Sequence, residues 1–560
     1  MSAPDVIVVG SGMTGSWAAK ELTERGLNVL MIERGPNIRH RIDYTTEFKA
    51  PWEMPFRGFA DPNVLITSKR IQKYAREFDE WNLDLFVDDD VDIYETPPES
   101  AFRWIRGYHL GGRSLMWGRH SYRMAPLHFQ SNAQDGHGVP WPVRYEDFAP
   151  WYDHVERFIG VNGTQDGDLP GLPQGIYQPS MGFNAAEQRM ADLVRTHYAD
   201  RKLLPGRTAN LTEPIGERTA CHNRNQCRRG CSFGAYFSAQ SSTLPAATAT
   251  GRLTVQTDTI VEGLEFDPSS GRVTAVRCLD ARNGAGSTLK ARAVFLCAGS
   301  VNSIGILQRS ATQGATGGLG NSSGLLGRYF MDHCFGGLYL TTVPGLDDQM
   351  YSGRKPNGIV MPRFVNLQGQ ETDFLRGYSL QGASGRDTWK RGGHEGGIGA
   401  GLKARLEKPG GWMLGFGVSV ENVPRKENLV RVNFNRKDKY GLPLMHIDVR
   451  WSDNELKAAA HGRQQMQEML SLLGGHIIPA VSEPQPPGTT IHEIGGACMG
   501  EDPHGSVTNA WNQLHDAPNV FVSDGAAMCS GGDRNTSLTL MAMTARAAAH
   551  AADLLKNGAV

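Results

Sequence analysis

The sequence predicts a mixed α/β fold with two interleaved parts, one built on a parallel sheet and the other on an antiparallel sheet. A short β-branched run at residues 5–9 leads into a glycine turn and a helical stretch at residues 16–25, which is the order strand, turn, helix. A second apolar run at residues 294–297 also ends in a glycine turn, so we expect the parallel sheet to be resumed late in the chain. Between residues 336 and 480, aromatic and β-branched runs alternate with glycine-rich and charged stretches, a pattern typical of antiparallel strands.

The first glycine turn has the spacing of a dinucleotide-binding fingerprint. Gly10 permits a tight turn, Gly12 lets backbone N–H groups approach a pyrophosphate at the helix N-terminus, and Gly15 lets the helix pack closely on the strand. The next apolar run, at residues 27–32, ends in Glu33, whose carboxylate suits a ribose 2′-hydroxyl and disfavours NADP. We therefore predict a Rossmann-like domain that binds a dinucleotide.

The rest of the chain contains no second fingerprint of this kind. Residues 318–324 are rich in glycine but follow no apolar strand, so we interpret them as a polar loop. A single dinucleotide site in a chain of 560 residues favours a tightly held FAD, with electrons leaving by a route other than a second nucleotide.

Further apolar runs extend the predicted sheets. Residues 253–257 and 271–278 alternate between apolar and polar side chains and are predicted to pair as a hairpin before the run at residues 294–297. The runs predicted to share one antiparallel sheet are residues 336–342, 412–418 and 444–451.

Charge and hydropathy exclude two classes of partner. The 57 Lys and Arg residues balance 58 Asp and Glu residues, so no positive field favours nucleic acid. No apolar run reaches the roughly 18 residues of a membrane span. Because the first strand begins at Asp5, we expect no export leader, and a cytoplasmic protein if the chain acts alone.

Motifs near the C-terminus identify a family resemblance. The residues that carry it, besides the N-terminal glycines and Glu33, are Ala298, Gly299, His492, Asp524, Gly525 and Asn535. Over essentially its whole length the chain resembles the glucose-methanol-choline (GMC) flavin oxidoreductases. The resemblance implies FAD as cofactor, with His492 and Asn535 facing the flavin ring and Asp524-Gly525 near its pyrophosphate. His333 also follows a family pattern and is interpreted as structural support.

The chemistry of alcohol oxidation also accounts for the pair of His492 and Asn535. A neutral imidazole is suited to accept the hydroxyl proton, so His492 is the predicted base. The carboxamide of Asn535 can donate a hydrogen bond to the developing alkoxide but cannot take its proton.

The loop at residues 111–117 departs from relatives that bind FAD covalently. Those relatives carry a histidine before the tryptophan, whereas Met116 precedes Trp117 here, and a thioether cannot form a histidyl link. We therefore predict a dissociable FAD. The loop residues predicted to contact it are Gly111, Gly112, Ser114 and Met116.

Three of the eight cysteines, Cys221, Cys227 and Cys231, lie within eleven residues in a polar segment. Three soft ligands suit an iron–sulfur cluster, whereas zinc usually takes four and the adjacent His222 is poorly placed to complete the set. A disulfide with one spare thiol, or three free thiols, are the alternatives. The spacing resembles that of bacterial FAD sugar dehydrogenases that hold a 3Fe-4S cluster, which implies a small subunit with an export signal, a cytochrome c-type acceptor and periplasmic location by co-export.

These motifs predict a division of the chain and an activity. The FAD-binding domain is predicted to comprise residues 1–40, 100–125, 205–335 and 485–560, and the substrate domain residues 41–99, 126–204 and 336–484. The predicted reaction is oxidation of a secondary hydroxyl of a sugar or glycoside to a ketone, with an iron–sulfur cluster passing electrons to an external acceptor. A 3-keto sugar is favoured because, among these sugar dehydrogenases, the chain most resembles the glucoside 3-dehydrogenases. The alternatives are an oxygen-using oxidase of the pyranose or C-glycoside type, and a non-catalytic flavin-binding redox protein.

Overall fold

The computed structural model describes residues 4–311, 317–349, 356–393 and 395–560. The α-helices of these residues are α1 (Met13–Glu24), α2 (Pro62–Ile66), α3 (Pro126–Asp135), α4 (Tyr145–Ile159), α5 (Ala185–His197), α6 (Leu244–Ala249), α7 (Ser300–Arg309), α8 (Gly399–Glu407), α9 (Asp453–Ser471) and α10 (Ser537–Lys556). The strands are β1 (Val6–Val9), β2 (Val29–Ile32), β3 (Leu204–Pro205), β4 (Leu253–Gln256), β5 (Thr259–Asp267), β6 (Arg272–Asp280), β7 (Gly286–Leu289), β8 (Ala293–Leu296), β9 (Cys334–Val343), β10 (Ile359–Met361), β11 (Tyr378–Arg386), β12 (Trp412–Val420), β13 (Leu429–Lys437), β14 (Pro443–Asp448), β15 (Ile477–Val481) and β16 (Val520–Val522).

A parallel sheet of order β16-β8-β1-β2-β4 forms the centre of the first part. Val6 of β1 lies opposite Val29 on one side and Ala293 on the other, so the N-terminal strand joins segments that are far apart in sequence. All four residues of β1 are buried because both faces of the sheet are covered. Val6 and Val8 pack in the core that includes α1 and α10, and Ile7 and Val9 pack in the core that includes β5 and β6. The predicted Rossmann-like arrangement is confirmed.

The prediction that residues 253–257 and 271–278 pair as a hairpin is wrong for the first of these two strands. The run at residues 253–257 forms β4, which pairs in parallel with β2 at the edge of the central sheet. The partner of β6 is instead β5, in a three-stranded antiparallel sheet with β7. The short helix α6 precedes β4 and packs on α1, so the chain crosses over before β4 and enters it parallel to β2. Alternation of apolar and polar residues suits an edge strand as well as a hairpin strand.

A six-stranded sheet of order β15-β9-β12-β11-β10-β3 forms the second part, and its strands pair antiparallel. The predicted runs at residues 336–342 and 412–418 fall in β9 and β12, which are neighbours. The run at residues 444–451 does not belong to this sheet, since β14 pairs with β13 in a separate two-stranded sheet. Met445 and Ile447 of β14 pack in the same core as β5 and β6.

Helix α9 packs on β9 and β12 and covers one face of the six-stranded sheet. The opposite face of this sheet lies across a cavity from the turn that follows β1. Residues of β9, β11 and β12 and residues of that turn line the cavity. None of the helices in the described part of the chain is long and apolar enough to cross a lipid bilayer.

Candidate active site

A cavity of about 700 Å³ lies at the carboxyl end of the parallel strands, where ligands bind in open α/β sheets. Its walls include both predicted catalytic residues, His492 and Asn535. The predicted cofactor-binding residues that line it are Gly10, Gly12, Glu33, Gly112, Ser114, Met116, Ala298, Gly299, Asp524 and Gly525. The two remaining predicted residues, Gly15 and Gly111, are not among the lining residues, and their contacts are with the surrounding protein.

The glycines of the first turn are required for two different reasons. A Cβ on Gly15 would come within 1.9 Å of the carbonyl oxygen of Gly10, so helix α1 can approach β1 only without a side chain there. A Cβ on Gly12 would meet no protein atom within 4 Å and would point into open space beside the cavity. Protein packing therefore does not require glycine at position 12, and the free space there fits a ligand that approaches the backbone closely, as a pyrophosphate does.

Glu33 directly follows β2, and its carboxylate accepts hydrogen bonds from residues of two turns. One carboxylate oxygen accepts hydrogen bonds from the backbone N–H and the hydroxyl of Ser11, at 3.1 and 2.5 Å, and the other accepts from the N–H of Gly35 at 2.9 Å. The Ser11 hydroxyl also accepts the N–H of Gly111 at 2.9 Å. Burial raises the pKa of Glu33. Ser11 was not predicted from the sequence, although it lies between two glycines of the fingerprint.

Asp524 connects the late glycine turn to the C-terminal segment. One carboxylate oxygen accepts from the N–H of Gly299 at 3.0 Å and from the hydroxyl of Ser303 at 2.6 Å, and the other accepts from the N–H of Ala526 at 2.9 Å. Burial raises the pKa of Asp524 to about 6. These contacts hold the start of α7 against the cavity wall.

The side chains of His492 and Asn535 meet inside the cavity. The Nε2 atom of His492 lies 3.0 Å from the carboxamide nitrogen of Asn535, although the two residues are 43 positions apart in the chain. Burial, followed by the charges of neighbouring groups, lowers the pKa of His492 well below its usual value of 6.5. The imidazole is therefore neutral at neutral pH, and because a carboxamide nitrogen can only donate, its Nε2 atom accepts the hydrogen bond.

The backbone of His492 is held in place by a buried carboxylate. Asp332 accepts the N–H groups of Gly488, Thr490 and His492, at 2.8, 3.2 and 2.9 Å. Between the last two, Ile491 has a φ of 63°, a left-handed conformation that is costly for a β-branched residue. The hydrogen bonds to Asp332 thus maintain a strained backbone that directs the imidazole into the cavity. Burial raises the pKa of Asp332 to about 6.

A second buried charge cluster includes the two residues directly before Asn535 in the chain. The carboxylate of Asp533 lies 2.6 Å from the guanidinium of Arg534 and 3.0 Å from Nε2 of His128. All three side chains are at most 1% exposed. Although desolvation opposes ionisation, Arg534 and His128 hold the pKa of Asp533 far below its usual value. Neither Asp533 nor His128 was predicted from the sequence.

The three clustered cysteines line a second cavity of about 400 Å³. No disulfide joins them, and their three sulfur atoms do not all lie within 4.8 Å of one another. This spacing is too wide for one tetrahedral metal ion with ligands at about 2.3 Å. In an iron–sulfur cluster each thiolate binds a different iron, so the sulfur atoms of its ligands lie farther apart than around a single ion.

The surroundings of the cysteines are cationic. Burial lowers the pKa of the Arg119 guanidinium, but its interactions with Cys227 and Glu77 raise it more, so the pKa is above its usual value. Arg224 and Arg228 also line this cavity and pair with Glu47 and Glu77, at 2.6 and 2.9 Å. The wall residues that the second cavity shares with the first are Arg76, Glu77, Gly118, His120, Gly382 and Ala383.

Among the described residues, the His, Cys, Asp and Glu side chains that come close enough for one metal ion are Asp332, His333 and His492. The carboxylate of Asp332 is occupied by backbone N–H groups, and the two imidazoles contact each other. These groups satisfy one another without an ion.

Comparison with known proteins identifies the family of this chain. Two family models described as GMC oxidoreductase match residues 4–335 and 424–544. The chain is 25% identical to the fructose dehydrogenase large subunit of Gluconobacter japonicus, covering 99% of this chain and 98% of that one. It is 28% identical to the 2-methyl-1,2-propanediol dehydrogenase of Mycolicibacterium austroafricanum, covering 97% and 94%. Pyridoxine 4-oxidase from Mesorbium loti shares the fold, with a TM-score of 0.58 at 16% identity over 98% and 99% of the two chains.

The family models together span most of the chain, and the fingerprint turn lies in the same cavity as His492 and Asn535. The chain therefore belongs to the GMC oxidoreductase family, FAD-dependent enzymes that act on CH–OH groups.

Proposed function

We propose that the protein oxidises a secondary hydroxyl of a sugar or glycoside to a ketone, with a 3-keto sugar as the favoured product. The observation that carries this proposal is the 3.0 Å contact between His492 and Asn535 in the cavity that also contains the dinucleotide fingerprint. FAD supplies the acceptor for the hydride that leaves the carbinol carbon.

The two side chains divide the work on the substrate oxygen. In the structure the lone pair of His492 Nε2 accepts an N–H of Asn535. A bound substrate hydroxyl replaces that N–H as the partner of Nε2, which then accepts the hydroxyl proton because the ring is neutral. Asn535 donates a hydrogen bond to the oxygen as negative charge develops there. The Oδ1 atom of Asn535 is buried without a hydrogen-bond partner among the described residues, so a donor group of the substrate can bind it.

A carbohydrate substrate is supported by the cavity wall and by one relative. Gln381 of β11, Ser419 of β12 and His120 line the cavity, and side chains of this kind hydrogen-bond to ring hydroxyls. Fructose is the substrate named for the Gluconobacter relative. The 3-keto product rests on the resemblance to glucoside 3-dehydrogenases. Anaerobic mixing of the enzyme with a methyl glucoside should bleach the flavin, and product analysis should find the 3-ketone; a flavin that no sugar bleaches would contradict the proposal.

The pKa of His492 makes a prediction for pH dependence. Because burial moves this pKa below 6.5, the base is already deprotonated at pH 6.5 and is lost only when the pH falls further. The rate constant for flavin reduction is therefore expected to stay constant from pH 8 through pH 6.5 and to decline only at lower pH. Stopped-flow absorbance across this range measures it. An acid limb with an apparent pKa at or above 6.5 would rule out His492 as a buried, neutral base.

FAD is proposed to be bound without a covalent link. Met116 lines the cavity at the position where covalent relatives have histidine, and its thioether is not a suitable partner for such a bond. Acid precipitation should release all of the flavin into the supernatant.

We further propose that Cys221, Cys227 and Cys231 bind a 3Fe-4S cluster, which would supply one-electron transfer to an external acceptor. All three line one cavity, and the arginines beside it can offset the negative charge of thiolates. The wall shared with the active-site cavity brings this cysteine site next to the site of oxidation.

Substitution of Cys227 with serine is expected to remove the cluster and leave FAD bound. Protein purified without oxygen should contain iron and show a low-temperature EPR signal, both of which should be lost in Cys227→Ser. Sugar should still bleach the flavin in this variant, whereas reduction of a one-electron acceptor should fail. Cys278→Ser, at a buried cysteine of β6, is the control and should keep its iron. Wild-type protein without iron would overturn the proposal.

An oxygen-using oxidase is the second candidate, with the cysteines inert. The absence of iron, together with hydrogen peroxide formed in step with sugar oxidation, would favour it. A non-catalytic flavin-binding protein is the third, and it predicts that no sugar reduces the flavin.

For partners and location, we propose a small subunit that carries an export signal, a cytochrome c-type electron acceptor, and a periplasmic enzyme reached by co-export. The Gluconobacter relative is named as a large subunit, which supports a multisubunit enzyme. Isolation of the native enzyme as a single chain from the cytoplasm would contradict this proposal.

A further inference from the structure

His333 contacts the ring of His492 at Nδ1, the ring nitrogen that does not contact Asn535. The two Nδ1 atoms lie 3.1 Å apart, and the rings are perpendicular, with centroids 4.9 Å apart. Two imidazole nitrogens at this distance form a hydrogen bond only if one of them carries a hydrogen and the other a lone pair. The contact therefore couples the protonation of the two rings.

The hydrogen bond at Nε2 of His333 shows which nitrogen of this ring carries the hydrogen. Its Nε2 atom lies 2.8 Å from the carbonyl oxygen of Gly532, and a carbonyl can only accept. Nε2 of His333 is therefore the N–H donor. Burial lowers the pKa of His333, so the ring is neutral and its Nδ1 atom carries a lone pair.

The hydrogen bonds then run in one direction from Asn535 to Gly532. The carboxamide of Asn535 donates to Nε2 of His492, Nδ1 of His492 donates to Nδ1 of His333, and Nε2 of His333 donates to the carbonyl of Gly532. Both ends of this series lie in one loop, three residues apart.

We propose that His333 is a positioning residue that holds His492 in the tautomer with hydrogen on Nδ1, which keeps the lone pair of the base on Nε2. The proposal rests on the proposed function of His492 as the base. Free histidine favours hydrogen on Nε2, so the tautomer needed here must be imposed by a hydrogen-bond partner. Because the series ends at a carbonyl, which cannot take a proton, His333 orients the base and does not conduct its proton away.

The neighbouring residues are arranged for this contact. Asp332, directly before His333, accepts the backbone N–H of His492 at 2.9 Å, so one dipeptide holds both the main chain and the ring of His492. Gly531 provides the space for the second ring, since a Cβ there would lie 2.8 Å from Cε1 of His333. Gly532 has a φ of 65°, which glycine adopts without strain as it presents its carbonyl to His333.

The tautomer can be measured without any turnover. Nitrogen-15 NMR of histidine-labelled holoenzyme distinguishes a protonated ring nitrogen from one with a lone pair, and the His492 signals are those lost in His492→Ala. In wild-type enzyme we expect hydrogen on Nδ1 and a lone pair on Nε2. Hydrogen on Nε2 of His492 would overturn the proposal on its own, even if no variant of His333 folds.

Two substitutions test the role of His333. Leucine removes the acceptor, so the His492 signals should shift to the Nε2–H form or a mixture, and the limiting rate of flavin reduction should fall about 10- to 100-fold with substrate affinity little changed. Glutamine can accept from His492 and donate to Gly532, so it should restore the wild-type signals and most of the rate. The control is His461→Leu. His461 lies on helix α9 and is hydrogen-bonded to Tyr378, and its substitution should change neither the His492 signals nor the rate of flavin reduction.

The outcomes separate this inference from the proposed function. If His333→Leu binds FAD but leaves both the signals and the rate unchanged, His333 is structural only and the positioning role fails. If the tautomer is as expected but His492→Ala reduces its flavin as fast as wild type, the positioning contact stands and the proposed role of His492 fails.

Discussion

Replacement of His492 with alanine is expected to slow reduction of the bound flavin by a sugar about 100- to 10,000-fold, the usual contribution of a positioned general base. The substitution removes the atom that accepts the hydroxyl proton and leaves the contacts of Glu33, Ser11 and Asp524 intact. FAD content should therefore be unchanged. Stopped-flow absorbance under anaerobic conditions measures the rate constant directly.

The control for this prediction is His504→Ala, at an exposed histidine in a surface turn. It should reduce its flavin at the wild-type rate. Asn535→Ala should lower the rate constant about 100- to 1,000-fold, as loss of a single donor to a developing oxyanion does in other enzymes. A His492→Ala enzyme that retains the wild-type rate would place the base elsewhere.

Replacement of Asp533 with alanine is expected to destabilise the holoenzyme by about 3–5 kcal/mol. The substitution leaves the charged guanidinium of Arg534 buried without its partner, and His128 loses the same contact. Because the pKa of Asp533 lies far below its usual 3.8, its stabilising contribution is fully present above about pH 4 and is lost only in stronger acid. Chemical denaturation at pH 7 and at acid pH measures both effects.

The matched control removes an aspartate from an exposed ion pair. Asp90 pairs with Arg70 at the surface, where their side chains are 54% and 44% exposed, so Asp90→Ala should cost less than about 1 kcal/mol. A loss at Asp533→Ala no larger than that at Asp90→Ala would show that the buried cluster does not support the loop of Asn535.

The parts of the fold around the site that the sequence predicts correctly are those determined by local geometry. The turn from Gly10 to Gly15 follows from a few adjacent residues, because the strand, the turn and the helix N-terminus are all next to one another. The pairing of His492 with Asn535 depends on a tertiary contact between two loops. The sequence pointed to it through the family resemblance, together with the chemistry of the two side chains.

Other features could not be predicted because they depend on distant contacts. His333 is 159 residues from His492, and only the fold shows that a supporting histidine contacts the base. The strand β4 alternates as a hairpin strand would, and its place beside β2 follows from the crossover through α6. The three cysteines lie within eleven residues of one another, yet the spacing of their sulfur atoms depends on how the loop folds over Glu47 and Glu77.

The wall shared by the two cavities has a consequence for redesign of substrate range. Arg76, Glu77 and His120 face both the alcohol site and the cysteine site, so a change there that admits a larger substrate also alters the electrostatic field at the cysteines. Gln381 and Ser419 line only the first cavity. Directed evolution for new alcohols should therefore accumulate substitutions at Gln381 and Ser419, which change the first cavity and leave the wall of the second unchanged.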